Sequence, residues 1–429
     1  MKWKHSCLVA GLIAACSDSA SPSTPDANVA PDAPGTGSIT LHPGDNVQAA
    51  LIAVHTGQTI FFTEGTYNFT DELSLSVAGV TLKGMGARDK IIFDFAGQVT
   101  GGNGLSVTAG DFILDGVTIR DTKGDAVRIQ GVDADHKAKN ITLRNVKVYW
   151  TAGSSSSNPG YALYPTTCEN VLIENCEVHG ASDAGLYVGQ SANIMVRNNL
   201  VMENENGIEI ENSTGAEVMG NMAMDNVGGI LVFNLPNLPV KTGALTVVHD
   251  NMIMSNNHAK FPSNPTGTGA IPPPGSGMIL LAADRTEIRN NMIVANQSTG
   301  ILIASCPSLP AADLIDSTYC MDPGYDAWSE GVYIHDNTFS GNGTNPQEFY
   351  QAFWMPTTAP FQDMLYDGAV DTTKTDPNVD NKLCIKGNGS ATFVDVNVLS
   401  GLSPRVTDLS GFDCTHSAVP GINVNWGVE

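Results

Sequence analysis

Apolar and polar positions fall along this chain in short alternating runs, and the runs recur at a nearly constant interval. One signature places Asn or an apolar residue three positions after an apolar anchor, as in Leu143-Arg144-Asn145-Val146, Ile173-Glu174-Asn175-Cys176 and Val196-Arg197-Asn198-Asn199. It returns in Val218-Met219-Gly220-Asn221, Val248-His249-Asp250-Asn251, Ile288-Arg289-Asn290-Asn291 and Ile334-His335-Asp336-Asn337. A second Asn stands eight residues after the anchor, at Asn204, Asn226, Asn256, Asn296 and Asn342. Another strand opens after a small residue, as Gly185-Leu186-Tyr187-Val188, Gly207-Ile208-Glu209-Ile210 and Gly229-Ile230-Leu231-Val232, and these glycines are 22 residues apart. Short strands at that period, punctuated by Gly and Asn, predict an all-β fold: a single parallel β-helix of roughly 22-residue coils with three strands per coil. Each coil then pairs with the next at about 4.8 Å.

The same pattern predicts which side chains stack inside. Stacked Asn amides bond along the axis and satisfy corner backbone, so the Asn columns are read as structural. In the opening strands Val127, Leu163, Leu186, Ile208, Ile230, Met278 and Ile301 are expected to point inward. Alternation then turns Arg128, Tyr164, Tyr187, Glu209, Leu231, Ile279 and Leu302 outward. An open solenoid end would expose unpaired backbone, so a cap is expected. Residues 45–54 supply an amphipathic helix, with Asp45 and Gln48 spaced as a capping box and Gly57 ending it.

The cap, the Gly65-Thr66-Tyr67 turn and the coils resemble the right-handed β-helix proteins that include pectate lyases, alginate epimerases and carbohydrate-binding or sugar-hydrolase repeat proteins. The likeness implies a right-handed coil. More narrowly, Asp133-Ala134-Asp135-His136-Lys137-Ala138-Lys139-Asn140, Cys168-Glu169-Asn170-Val171 and His179-Gly180-Ala181-Ser182-Asp183-Ala184-Gly185 look like exported bacterial β-helix lipoproteins, as do Gly207-Ile208-Glu209-Ile210-Glu211-Asn212-Ser213 and Gly229-Ile230-Leu231-Val232. That family carries no established activity, so this second resemblance implies fold and location only.

The chain ends refine the picture. A basic start, a short apolar run and Ile13-Ala14-Ala15-Cys16 form an export signal over residues 1–15, too short for a span of roughly 20 residues. The ending resembles a lipobox with Cys16 as the acylated first mature residue; an ordinary signal cut after Ala15 is the alternative. Residues 17–37, rich in Ser, Pro, Ala and Asp, read as a disordered tether, residues 38–345 as the β-helix and residues 346–429 as a C-terminal cap and strap. The strap, with Phe349, Tyr350 and Trp354, is expected to lie over the apolar outward column. The expected location is the periplasm or cell surface, held to the membrane by lipid.

The formal net charge of −23 becomes about −25 without Lys2 and Lys4, which argues against a nucleic-acid partner. The six cysteines after Cys16 suggest disulfides in an exported chain, Cys306 with Cys320 and Cys384 with Cys414. Cys168 and Cys176 are either a third pair or buried thiols. No Cys-x-x-Cys or His-rich spacing points to zinc.

Candidate chemistry lies where loops interrupt the period, near residues 131–140, 151–160, 234–243, 257–275 and 305–329. Such loops either wall a groove or merely decorate the surface. The outward residues Arg128, Tyr164, Tyr187 and Glu209 suit a sugar: aromatic faces to stack on rings, a cation and a carboxylate for hydroxyls or acids. Glu211 shares their face about 7 Å from Glu209, a spacing that fits an inverting glycosidase pair or a cation such as calcium. Two solvated glutamates would look the same in sequence. Asp135, His136 and Lys137 gather in the first loop and resemble the groups with which β-helix lyases and epimerases work on uronates, without the epimerase Asp-Pro-His-Asp run. His179 and Asp183 are their expected neighbours. Two functions follow: a polysaccharide lyase, C5-epimerase or glycoside hydrolase, or a non-catalytic module binding glycan or an exported protein.

Overall fold

The computed structural model describes residues 37–311, 315–316, 318–348, 350, 362–374 and 382–424. The expected signal, Cys16, and the tether up to residue 36 lie outside them, as do Phe349 and Trp354 of the expected strap.

Among the described residues the chain winds through three parallel sheets of twelve, ten and eleven strands. Sheet 1 runs from Ile39–Leu41 to Cys384–Lys386, sheet 2 from Gly65–Asn68 to Thr338–Ser340, and sheet 3 from Leu73–Leu75 to Phe393–Asp395. Between the two ends each coil gives one strand to each sheet, and each strand pairs with its counterpart one coil on. The fold is a right-handed parallel β-helix. Register follows the hydrophobic pattern because a slip of one residue would turn every inward side chain to solvent. Val127, Leu163, Leu186, Ile208, Ile230, Met278 and Ile301 lie in one register and are all fully buried. Each contributes on the order of 1.5–3 kcal/mol of apolar burial.

The corners explain the paired polar residues of the repeat. Asn198, Asp250, Asn290 and Asp336 take left-handed backbone with φ of 54–56°, and the next residue in each case turns its amide inward. Those amides form one ladder, Asn199 to Asn221, Asn251, Asn291, Asn337 and Asn388, with Nδ2 to Oδ1 distances of 2.9–3.1 Å. A second ladder joins Asn204, Asn226, Asn256, Asn296 and Asn342 and ends on Asp363. Cys176 occupies the ladder position one coil earlier, its N–H donating to Asn199 Oδ1 at 2.8 Å. Cys168 and Cys176 are buried thiols, whereas Cys306–Cys320 and Cys384–Cys414 are disulfides.

Both ends depart from expectation. The helix Val47–Ala53 is capped by Asn46, whose Oδ1 accepts from Ala49 N, not by an Asp45–Gln48 box. Asp45 accepts from His42 N instead. Gln48 exchanges two hydrogen bonds with the Ser74 backbone, so its amide satisfies the first strand of sheet 3, which has no coil before it. At the other end the stack continues past residue 345, because Met364–Tyr366, Cys384–Lys386 and Phe393–Asp395 add further rungs. The apolar outward column is covered by Tyr350 together with Leu235 and Leu309. The last described residues lie along sheet 1, where Val419 N and Ile422 N donate to Glu287 and Glu217, each at 2.7 Å. Those carboxylates give extended backbone the acceptors that an apolar column cannot.

Candidate functional site

The outer face of sheet 3 carries a cluster of tyrosines and carboxyl groups in successive coils. Arg128 pairs in register with Tyr164, and Tyr187 with Glu209. The Arg128 guanidinium sits 5.5 Å from the Tyr164 ring centre, Tyr161 stacks on Tyr164 at 4.3 Å, and Tyr187 leans against both. The expected open ridge is instead a covered cleft: Tyr187 and Glu209 are only 3% exposed and Glu211 7%. Its cover is the 257–275 loop together with Tyr319 of the 305–329 loop, two of the interruptions expected to wall a groove.

Local sequence makes this packing possible. The Tyr187 ring lies back over its own strand because Gly189 has no side chain; a Cβ there would meet Tyr187 Oη at 2.2 Å. The hydroxyl thereby reaches Glu211 Oε1 at 2.6 Å, and Gln190 Nε2 donates to the same hydroxyl at 3.2 Å. Tyr161 Oη donates to Asp183 Oδ2 at 2.8 Å. Against the other Asp183 oxygen lies the loop backbone at Gly269, where a Cβ would come within 2.0 Å. The loop is fastened by Asn206 Nδ2 to Gly269 O, Phe261 N to Glu205 Oε2 and Lys260 Nζ to Ala270 O. Glu205 Oε1 and Asn206 Oδ1 are buried without a hydrogen-bond partner among the described residues.

Burial dominates the electrostatics. It raises Asp125 and Asp183 to about 6, and Glu205 and Glu211 to about 7. Glu209 is pushed well above its usual range by burial and then by the charges of Glu211 and Asp183. Tyr164 rises to about 12, again through burial. Tyr319 lies within reach of the Glu211 charge and the Thr268 side chain. Neutral pH therefore falls within the titration range of Glu205 and Glu211 and above that of Asp125 and Asp183. Among the described residues no three His, Cys, Asp or Glu side chains are arranged to hold a metal ion.

The other expected residues go elsewhere. Asp133 folds the 131–137 loop on itself, its Oδ1 accepting from the N–H groups of Asp135 and His136 and pairing with His136 Nδ1 at 2.8 Å. The His136 side chain is 73% exposed, and the Lys137 charge is felt at Cys168, on the corner leading into sheet 1. Asp135, His136 and Lys137 are thus not gathered over Glu209. His179 separates from Asp183 because the chain turns between them: Asp183 enters the cleft on sheet 3, while His179 ends a strand of sheet 2. There its Nε2 meets Glu177 Oε1 at 2.9 Å, and Lys147 and Arg88 also bind that carboxylate. Burial would raise Glu177, but these partners hold it at about 2. This second group borders a cavity of about 330 Å³ with Tyr149 and Trp150.

Sequence reading missed Tyr161, Gln190, Asp125, Glu205, Asn206 and Tyr319. Tyr161 was within reach of it, three residues before Tyr164. Tyr319 was not, because it arrives from a loop 108 positions beyond Glu211. Cys320, next to it, lines an open cavity of about 760 Å³ with Tyr325, Trp328, Asp326, Asp371 and Lys374.

The family model described as "Right handed beta helix region" matches residues 103–305. No curated protein matches the chain. Among solved structures, the A-module of the mannuronan C-5 epimerase AlgE6 from Azotobacter vinelandii is 16% identical, with 80% of this chain and 90% of that one covered and a TM-score of 0.43. Pectate lyase Pel9A is 16% identical over 90% and 89%, with a TM-score of 0.40. A PL6 alginate lyase in complex with trisaccharide is 13% identical over 88% and 92%, with a TM-score of 0.37. The chain is a right-handed parallel β-helix protein. At such identities the solved structures say nothing of its chemistry.

Proposed function

We propose that this protein is an exported glycan-acting enzyme that hydrolyses a glycosidic bond on the outer face of sheet 3. The observation that carries the reading is the buried pair Glu209 and Glu211, with Tyr187 donating to Glu211 at 2.6 Å. Two outward residues on one strand stand about 7 Å apart by strand rise, within the range of an inverting pair. Their environments separate their roles. Glu209, kept protonated by burial, serves as the general acid. Glu211, held near 7 with donors from Tyr187 and Gln190, is the base that activates water. Tyr161 and Tyr164, stacked on each other, form an aromatic wall beside the carboxyl groups.

The carboxyl groups also favour a neutral glycan over a uronate. Bringing an anionic sugar to these five acids, three of them buried, would raise their proton affinity further, and the nearby cation, Arg128, is already engaged by Gln130 and the Tyr164 ring. A lyase or epimerase would need more positive charge than this. The second reading, a non-catalytic glycan-binding module, draws support from the burial of Glu209, which is only 3% exposed.

A panel of neutral and uronate polysaccharides separates the readings. The expected outcome is new reducing ends of inverted configuration from a neutral glycan. Glu209→Gln and Glu211→Gln should each lose about 10²-fold or more in turnover with unchanged circular dichroism. Unsaturated ends from a uronate, or full turnover in both variants, would overturn the hydrolase; retention without cleavage would identify the module.

A further inference from the structure

The outer face of sheet 2 presents methionine where a strand surface usually carries β-branched or polar residues. Leu200, Met222, Met252 and Met292 form one column on successive rungs, and Met202, Met224, Met254 and Val294 form the next. Between the columns Val201, Ala223, Ile253 and Ile293 point inward and are fully buried, which fixes the methionines on the outside. All six are partly exposed, Met222 by 36% and Met292 by 39%. The same columns are polar on either side, with Glu177 and His179 one rung before and Thr338 and Ser340 one rung after. Core packing therefore gives no reason for this block.

We propose that this face binds a soft monovalent cation, copper(I), through the thioethers of Met202, Met222, Met224, Met252 and Met254. Thioether sulfur selects copper(I) over the hard divalent ions that carboxylates prefer. The coil brings Met-x-Met pairs that are 30 residues apart in sequence onto neighbouring rungs about 4.8 Å apart. Unbranched side chains with three rotatable bonds can turn several sulfurs toward one ion from such a grid. Glu203 and Asp225 directly follow Met202 and Met224, and Asp225 pairs with His258 at 3.6 Å, so this margin draws cations and repels anions. Methionine also serves adaptable docking faces, an occupant that removing sulfur alone tells apart from copper(I). Methionine fills six of the eight positions.

Sulfur is also what the test removes. The full chain is titrated with copper(I), kept reduced without air, against a chromophoric copper(I) chelator, and in parallel with silver(I) as a redox-inert probe. The parent should withdraw copper(I) from the chelator and show sulfur scatterers by X-ray absorption. The quadruple variant Met222→Leu, Met224→Leu, Met252→Leu, Met254→Leu keeps the apolar face and should lose that binding. The double variant Met224→Leu, Met252→Leu serves if the quadruple one misfolds, and Cys168→Ala, Cys176→Ala should bind like the parent. The proposal fails if the parent leaves copper(I) on the chelator, if the leucine variants bind unchanged, or if the cysteine variant loses binding. A protein partner bound equally by parent and leucine variants, with no copper(I) taken up, would make this a docking face instead.

Discussion

Tyr187 reaches Glu211 across one rung, hydroxyl to Oε1 at 2.6 Å, because its ring lies over the bare backbone of Gly189. This contact shapes the proposed site: the phenol gives a buried carboxyl a donor. Gly189→Ala should break it, since the new Cβ would overlap the Tyr187 hydroxyl and ring. Overpacking of this kind costs about 1–3 kcal/mol. Denaturant titration should show that loss, with turnover falling further than stability alone explains; an alanine variant matching the parent in both would remove Tyr187 from the site.

Stability should fall as pH rises from about 5 to 8. In an unfolded chain Asp and Glu lose their protons near pH 4. In the folded protein Asp183 holds its proton to about 6, and Glu205 and Glu211 to about 7. The folded state thus binds more protons across this window. The stabilisation is complete below the unfolded values and is lost as pH passes the folded ones. The urea midpoint should therefore be lower at pH 8 than at pH 5, and Glu205→Gln with Glu211→Gln should flatten the slope. A midpoint that rises over this range would contradict the buried-acid description.

Asn221→Leu should destabilise the stack by about 1–3 kcal/mol through buried groups left unpaired. Its Nδ2 donates to Asn251 Oδ1 and Val196 O, and its Oδ1 accepts from Asn199. Leucine supplies none of these bonds. Thermal melting of the variant provides the measure, and an unchanged midpoint would mean that the ladder contributes little.

Export and anchoring are proposals resting on Ile13-Ala14-Ala15-Cys16. Cys16→Ser should abolish lipid labelling and release the protein in soluble form. Labelled lipid retained on that variant would place the attachment elsewhere.

The sequence alone was enough for the repeat, the inward column and the two asparagine ladders, because each is a local rule repeated at a fixed step. Alternation decides which side of a strand faces the core, and one polar residue per corner in every coil announces a ladder. It also placed Tyr187, Glu209 and Glu211 on one face. It marked the 257–275 and 305–329 loops as walls of a groove, but not which residues they would touch. Gly269 closes on Asp183, Tyr319 approaches Glu211, and Val419 and Ile422 find Glu287 and Glu217, through contacts between segments far apart in the chain. No periodic signal encodes such contacts, since a loop's path depends on which buried donors and acceptors it satisfies. Burial then separated the two carboxyl groups: on an open strand both would be ordinary solvated carboxylates, whereas under their cover Glu209 is pushed well above that range and Glu211 up to about 7.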